Sequence, residues 1–194
     1  MTITYRNTKG AALTHTELDN NFLDLDTKVL YNFGWEDWNA TNGPLTISRN
    51  AHTKVLNNGA GANSRTTHKI PGRGNIWNPN TSQFEWDNAG LVVGDTVDIR
   101  FDFVIDTSGT NHDIIFGINL GVGGPINPTL TLGGMTFKSS GTQAANTRFL
   151  GIYMGAQDIV DYPADIWIQS DATGDKIEYK GHYVRYNLRS PSET

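Results

Sequence analysis

The chain has 194 residues, of which 37% are hydrophobic and only 18% charged, with a net charge of −5 and no cysteine. That length suits one sizeable core plus an appendage, and the missing thiols exclude disulfides, thiolate metal sites and a cysteine nucleophile. The acidic balance, with Lys and Arg scattered singly, excludes the electrostatic footprint of a nucleic-acid binder.

Residues 1–12 read as an extended arm with Ile3 and Tyr5 as apolar anchors. The arm has no apolar leader core, and no run in the chain approaches a membrane span, so a soluble protein with no membrane partner is expected. Thr14 and Glu17 then have capping-box spacing, and Leu13 and Leu18 occupy the two positions of a hydrophobic staple. A helix over 14–31 follows, in which Leu18, Phe22, Leu25 and Val29 recur at spacings of four, three and four. That is either one buried helix face or the seam of a short coiled coil. A helix of about four turns is marginal alone in water, so it needs a partner surface. Tyr5, Leu13, Leu18, Phe22, Leu25 and Val29 are therefore the candidate docking or trimer-forming residues.

Tyr31-Asn32-Phe33-Gly34-Trp35 reads as a breaker, after which the hydrophobic period changes to two and no second helix is expected. The clearest strand is Thr96–Asp106, where Val97, Ile99, Phe101, Phe103 and Ile105 alternate with charged residues. Asp113–Leu120 is the next, and Ser108-Gly109-Thr110-Asn111 between them predicts a hairpin. Further strands are expected at Leu45–Ser48, Lys54–Asn57, Arg65–Ile70, Thr129–Leu132, Met135–Ser139, Arg148–Met154, Asp165–Ser170 and Lys176–Leu188. Many strands, short turns and no crossover helices predict a mainly β protein. The expected architecture is an antiparallel jelly-roll sandwich preceded by the arm and one short α-helix. Residues 1–34 form the anchoring arm and helix, and 35–194 the jelly-roll knob.

The run from Tyr5 to Phe22 resembles the N-terminal segment of tailed-bacteriophage tail-fibre and virion structural proteins. Leu91–Arg100, Arg148–Gly155 and Pro163–Ile166 resemble the strand-and-turn framework of the tumour-necrosis-factor-like knobs found in such proteins. The resemblance implies a homotrimer on the virion surface, with other virion proteins, from capsid or tail, as partners. It also implies a host surface glycan as a possible further partner. It carries no catalytic motif. No long shaft separates the N-terminal segment from the knob, which favours a short spike or a capsid-mounted decoration (cement) protein over a long fibre.

Candidate chemistry is sparse. The five histidines, His15, His52, His68, His112 and His182, share no metal-ligand spacing. Gly121-Val122-Gly123-Gly124-Pro125 lacks the ending of a phosphate loop and reads as a hairpin loop. Asp171–Asp175 with Glu178 has too few alternating carboxylates for a calcium loop. Asp158, Asp161, Asp165 and Asp171 would have to converge in a cleft to hydrolyse a glycan. No catalytic, metal or cofactor-binding residue is expected, and the chain reads as a non-enzyme. Trp77 and Trp86 flank the polar loop Asn78–Ser82 and are candidate glycan contacts, with burial at the base of the knob or in an interface as the rival reading. If those rings are exposed, a free carbohydrate-binding module is the alternative function.

Overall fold

Helix α1 (His15–Leu30) starts at the capping box that the sequence supplies. The Thr14 amide donates to Glu17 Oε2 at 2.7 Å, and the Glu17 amide donates to Thr14 Oγ1 at 3.2 Å. These reciprocal bonds satisfy donors that a helix start otherwise leaves open. In this computed structural model the described residues are 10–30, 33–39, 43–56 and 64–188, with side chains described for all of these except 23–30 and 145–150. Residues 1–9 of the arm, with Ile3 and Tyr5, and the side chains of Leu25 and Val29 therefore lie outside the described residues.

Beyond the helix come β1 (Phe33–Asn39), β2 (Leu45–Thr46), β3 (Thr53–Lys54), β4 (Trp77–Asn78), β5 (Gln83–Phe84), β6 (Thr96–Thr107), β7 (His112–Asn119), β8 (Thr129–Phe137) and β9 (Gly141–Tyr153). A one-turn helix α2 (Gln157–Asp161), β10 (Asp165–Ser170) and β11 (Lys176–Asn187) complete the order. One sheet runs β1-β11-β6-β9 with β2 also on β11, and the other runs β3-β10-β7-β8. The antiparallel pairs are nested: β2 with β11, β3 with β10, β6 with β9 and β7 with β8. Such nesting, with consecutive strands passing between two sheets, defines a jelly roll. The fold is therefore a mainly β, antiparallel jelly-roll sandwich.

Several expectations about the strands need correction. β6 and β7 do not form a hairpin, because they lie in different sheets and residues 108–111 cross the sandwich. The same turn chemistry serves a hairpin or a crossover, so the local sequence does not separate them. Thr129–Leu132 and Met135–Ser139 are one strand, β8, broken only by a bulge opposite Phe116 and Gly117. Arg65–Ile70 is not a strand; Arg65 makes an isolated bridge to Asp37. The expected breaker at 31–35 hides the start of β1, and α2 is a second helix that the period of two conceals.

The core fills the space between the sheets. Val97, Ile99, Phe101, Phe103 and Ile105 on β6 are all buried, as are Ile114, Phe116 and Ile118 on β7. Phe103 and Phe116 meet with ring centroids 4.4 Å apart. The β4–β5 ribbon brings Trp77, Phe84 and Trp86 into the same cluster, tied to Ala164, the residue just before β10, by the Phe84–Ala164 bridge. The hairpin loop expected at Gly121–Pro125 joins the paired strands β7 and β8.

Candidate functional site

The strands give the molecule two distinguishable ends. Phe33, where the chain enters β1, pairs with Asn187 near the end of β11, and Asn187 pairs with Thr96 at the start of β6. Helix α1 therefore feeds the sandwich at the same end where β11 finishes. At the far end of β6, about 36 Å away at 3.3 Å per residue, the crossovers 108–111, 138–140 and 171–175 come together.

On α1, Leu18 is 39% and Phe22 68% exposed, while Leu13 is half-buried. Two neighbouring apolar positions of the stripe thus stand open, and Phe33 at the sheet entrance is 48% exposed.

Two of the distal crossovers, 108–111 and 171–175, are tied by one buried carboxylate. Asp175 accepts from the Ser108 amide at 2.8 Å, from Ser170 Oγ at 2.6 Å, and lies 2.8 Å from His112 Nδ1. Burial alone would raise its pKa, but the hydrogen bonds from Ser170, Ser108 and His112 outweigh that and hold it below the usual carboxylate value. Asp171 adds a bond from the Asp113 amide at 3.0 Å. The 171–175 segment is thus a turn whose acids serve neighbouring backbone and side chains.

Trp77 and Trp86 are 1% and 0% exposed, in the core. The expectation that they contact glycan is corrected: the β4–β5 ribbon turns both rings inward, Trp77 onto His182 and Trp86 flat against Phe84. With that, the basis for a free carbohydrate-binding module resting on these two rings is gone. The surplus of tryptophan is absorbed mainly by packing. Trp38 is also buried, its Nε1 donating to Glu36 Oε2 at 2.7 Å, and Glu36 Oε1 accepts from the Ile76 amide at 3.0 Å. Burial pushes the Glu36 pKa up despite these bonds.

The histidines are dispersed among separate contacts. His182 is in the core, where burial pushes it down to about 3. His112 bonds Asp175, and His68 stacks on Trp35 at 4.2 Å. His52 stacks on Trp167 at 3.7 Å with 11° between the ring planes. His15 is exposed in the first turn of α1. Among the described residues no group of three His, Asp or Glu side chains could hold a metal ion.

Asp161, Asp165 and Asp171 also do separate things. Asp165 and Asp171 stand about 20 Å apart along β10 by strand geometry, and Asp165 pairs with Lys54 Nζ at 3.5 Å. Asp161 lines an acidic cleft of about 350 Å³ with Glu85, Asp87, Asn88 and Pro163. There Glu85 Oε1 accepts from Asn78 and Asp161 Oδ1 from Gln157, both at 2.6 Å.

What the sequence did not single out is the outer face of the four-stranded sheet. Trp167 projects from it with Lys54 and Gly117 as its partners in register, outside the core cluster although it is only 3% exposed. One rung along, Asp165 Oδ1 accepts from Asn119 Nδ2 at 2.9 Å, and Asn119 Oδ1 accepts from Thr129 Oγ1 at 2.8 Å. Ile166 and Ile168 join the core cluster, so strand parity sends Trp167 to the other face; in the sequence, Ile166-Trp167-Ile168 is an unbroken apolar run with no alternation to read.

No family model matches the chain, and no curated protein matches its sequence. Among solved structures it is similar to Eiger TNF from S. frugiperda, at 10% identity, TM-score 0.45, over 84% of this chain and 99% of that one. The PRD1 vertex protein P5 aligns at 13% identity and TM-score 0.35 over 82% and 99%, respectively. The CBM22-1 xylan-binding domain from Paenibacillus barcinonensis aligns at 9% identity and TM-score 0.40 over 80% and 94%. The nested strand pairing is what defines the jelly roll; at these scores the matches add nothing about function.

Proposed function

We propose that this chain is a non-enzymatic virion structural protein of a tailed bacteriophage. In this reading the jelly roll is a homotrimeric surface knob, docked to capsid or tail by its N-terminal segment. The observation that carries the reading is the placement of a capped helix with open Leu18 and Phe22 at one end of the strands, opposite the Asp175-tied crossovers. An amphipathic helix this short gains its stability from a partner surface. Three copies winding together, or a groove on another virion protein, would supply it. The opposite end, braced by buried hydrogen bonds, is then the end held outward. The resemblance of Tyr5–Phe22 to phage virion proteins points the same way. The short distance from helix to knob favours a seat close to the particle, as a decoration protein or a short spike.

Light scattering coupled to size-exclusion chromatography tests the assembly. A homotrimer has three times the 21.3 kDa chain mass, and a clean monomer overturns it. Immunogold labelling of virions that encode the chain tests the location: label on head or tail distinguishes the two seats, and unlabelled particles overturn both.

A further inference from the structure

We propose a pyranose-binding site on the outer face of the four-stranded sheet, with Trp167 as its platform and His52 as its lid. The site stands on the sheet geometry alone and holds whether or not the protein is part of a virion.

The indole lies on the strand backbone. A side chain at Gly117 would meet the Trp167 ring, because an ideal Cβ there falls 2.0 Å from its Cζ2 atom. Only glycine lets the ring lie so low, and a ring seated in this way offers its other face outward. That face is covered by the exposed His52 at a stacking distance of 3.7 Å, nearly parallel. A flat ring thus already sits where the face of a sugar would lie. The cover is held by the stack: such a contact is worth about 0.5–1.5 kcal/mol beyond area burial, so rotation of the His52 side chain uncovers Trp167 at low cost. The backbone on both sides of His52 stays pinned, with the Asn50 amide on Ser170 O and the Ser48 amide on Thr53 Oγ1.

The polar surroundings fit hydroxyl groups better than a flat apolar ligand. Trp167 Nε1 is buried and has no hydrogen-bond partner among the described residues. A buried indole N–H normally finds one. Beside it the chain Asp165–Asn119–Thr129 lines the same face of adjacent strands, with the largely covered Asp165 carboxylate also paired with Lys54 and the part-exposed Asn119 amide and exposed Thr129 hydroxyl further out. Carboxylate and amide oxygens accept from sugar hydroxyls, and the amide and indole N–H groups donate to them. An apolar platform with a few convergent polar groups is the general form of a small-ligand site.

Saturation-transfer difference NMR with maltohexaose, cellohexaose and chitohexaose, each at millimolar concentration, tests the site, with the Trp167 indole N–H signal followed in parallel. At least one sugar is expected to bind weakly and shift that signal. His52→Ala should strengthen binding about two- to tenfold, the stacking cost expressed as an affinity ratio. Trp167→Phe and the surface change Asn119→Ala should each weaken it at least threefold while leaving the fold intact by circular dichroism. Failure of all three sugars to bind both the wild type and His52→Ala overturns the site. So does sugar binding that Trp167→Phe and Asn119→Ala leave unchanged. Adenosine is the control, and binding of adenosine with no sugar bound overturns the pyranose assignment in favour of a flat aromatic ligand.

Discussion

The hydroxyl of Tyr179 lies 2.6 Å from Nδ1 of His182, both side chains in the core although they stand three residues apart on β11. In an unbroken strand, residues three apart point to opposite faces. The register shift between Tyr179 and Gly181 leaves Lys180 as an extra residue and resets the parity, so that 177 and 179 face inward before the bulge and 182, 184 and 186 after it. A bulge that re-aims a side chain is the means by which a titratable ring enters an aromatic cluster of Trp77, Phe84 and Phe101.

The first prediction follows from that buried imidazole. Burial holds His182 at about 3, below its ordinary 6.5. The unfolded chain therefore takes up the proton first, and stability present above pH 6.5 is lost as pH falls through the window down to about 3. Between pH 6.5 and pH 4 the loss is up to about 3 kcal/mol at 1.36 kcal/mol per pH unit. Glu36 opposes part of it, since its raised pKa means that protonation favours the folded state as pH falls toward 4.5. Urea unfolding at pH 7, 5 and 4 should show the decline. His182→Phe should flatten it, at the cost of an unpaired Tyr179 hydroxyl. An unchanged slope in that variant would refute the assignment.

The bulge itself makes the second. Gly181 has φ +139°, and a Cβ there would fall 2.1 Å from the Trp38 carbonyl oxygen on β1. Backbone cannot move aside as a side-chain tip can. Gly181→Ala should therefore destabilise by about 3 kcal/mol or more, combining strain with a clash in a packed sheet. Gly134→Ala, whose nearest neighbour is an ordinary 3.4 Å contact, should stay within about 1 kcal/mol. Equal losses in thermal unfolding would contradict this reading of the bulge.

Much of the sandwich was legible because burial imposes a period. β6 alternates so strictly that its inward and outward residues can be read off directly, whereas the apolar run Ile166-Trp167-Ile168 in β10 is buried throughout and hides which of the three points out. The stretch around Gly34 does separate the helix, which ends at Leu30, from the strands, but the local sequence carries no mark of why a glycine stands there. In the fold it lies in β1 beneath the Tyr186 ring, where a Cβ would come within 2.5 Å. β4 and β5 are two residues each, too short to show any period, so the inward turn of Trp77 and Trp86 was not legible. Nor was the His52–Trp167 stack, which joins residues 115 positions apart through the pairing of β3 with β10.

A third prediction concerns Asp175. Its carboxylate joins the 108–111 crossover to the 171–175 turn, and its lowered pKa means that it stabilises the fold above the ordinary carboxylate value of 3.8 and ceases to do so as pH falls through its lower, folded value. Asp175→Asn keeps the shape but turns one acceptor oxygen into a donor facing other donors. A loss of about 3 kcal/mol is expected for a broken buried network. Hydrogen exchange should speed up first at the Ser108 and Ala172 amides, and protection that stays uniform would refute a local role.

The last prediction separates the helix from the knob. Thr14→Ala removes both side-chain halves of the capping box that depend on its hydroxyl and should cost about 1 kcal/mol of helix stability. Phe22→Asp places a charge on the open stripe, at a position 68% exposed in the single chain. It should leave thermal unfolding of the jelly roll within about 0.5 kcal/mol, as expected for a surface change. If the stripe is the assembly seam, the same variant should shift the scattering mass from three copies toward one, because a charge at a seam position has no counterpart in an apolar interface. If the helix instead plugs into another virion protein, mass stays unchanged while retention of the variant on particles falls. A variant that keeps both its mass and its particle retention would remove the helix from the docking role altogether.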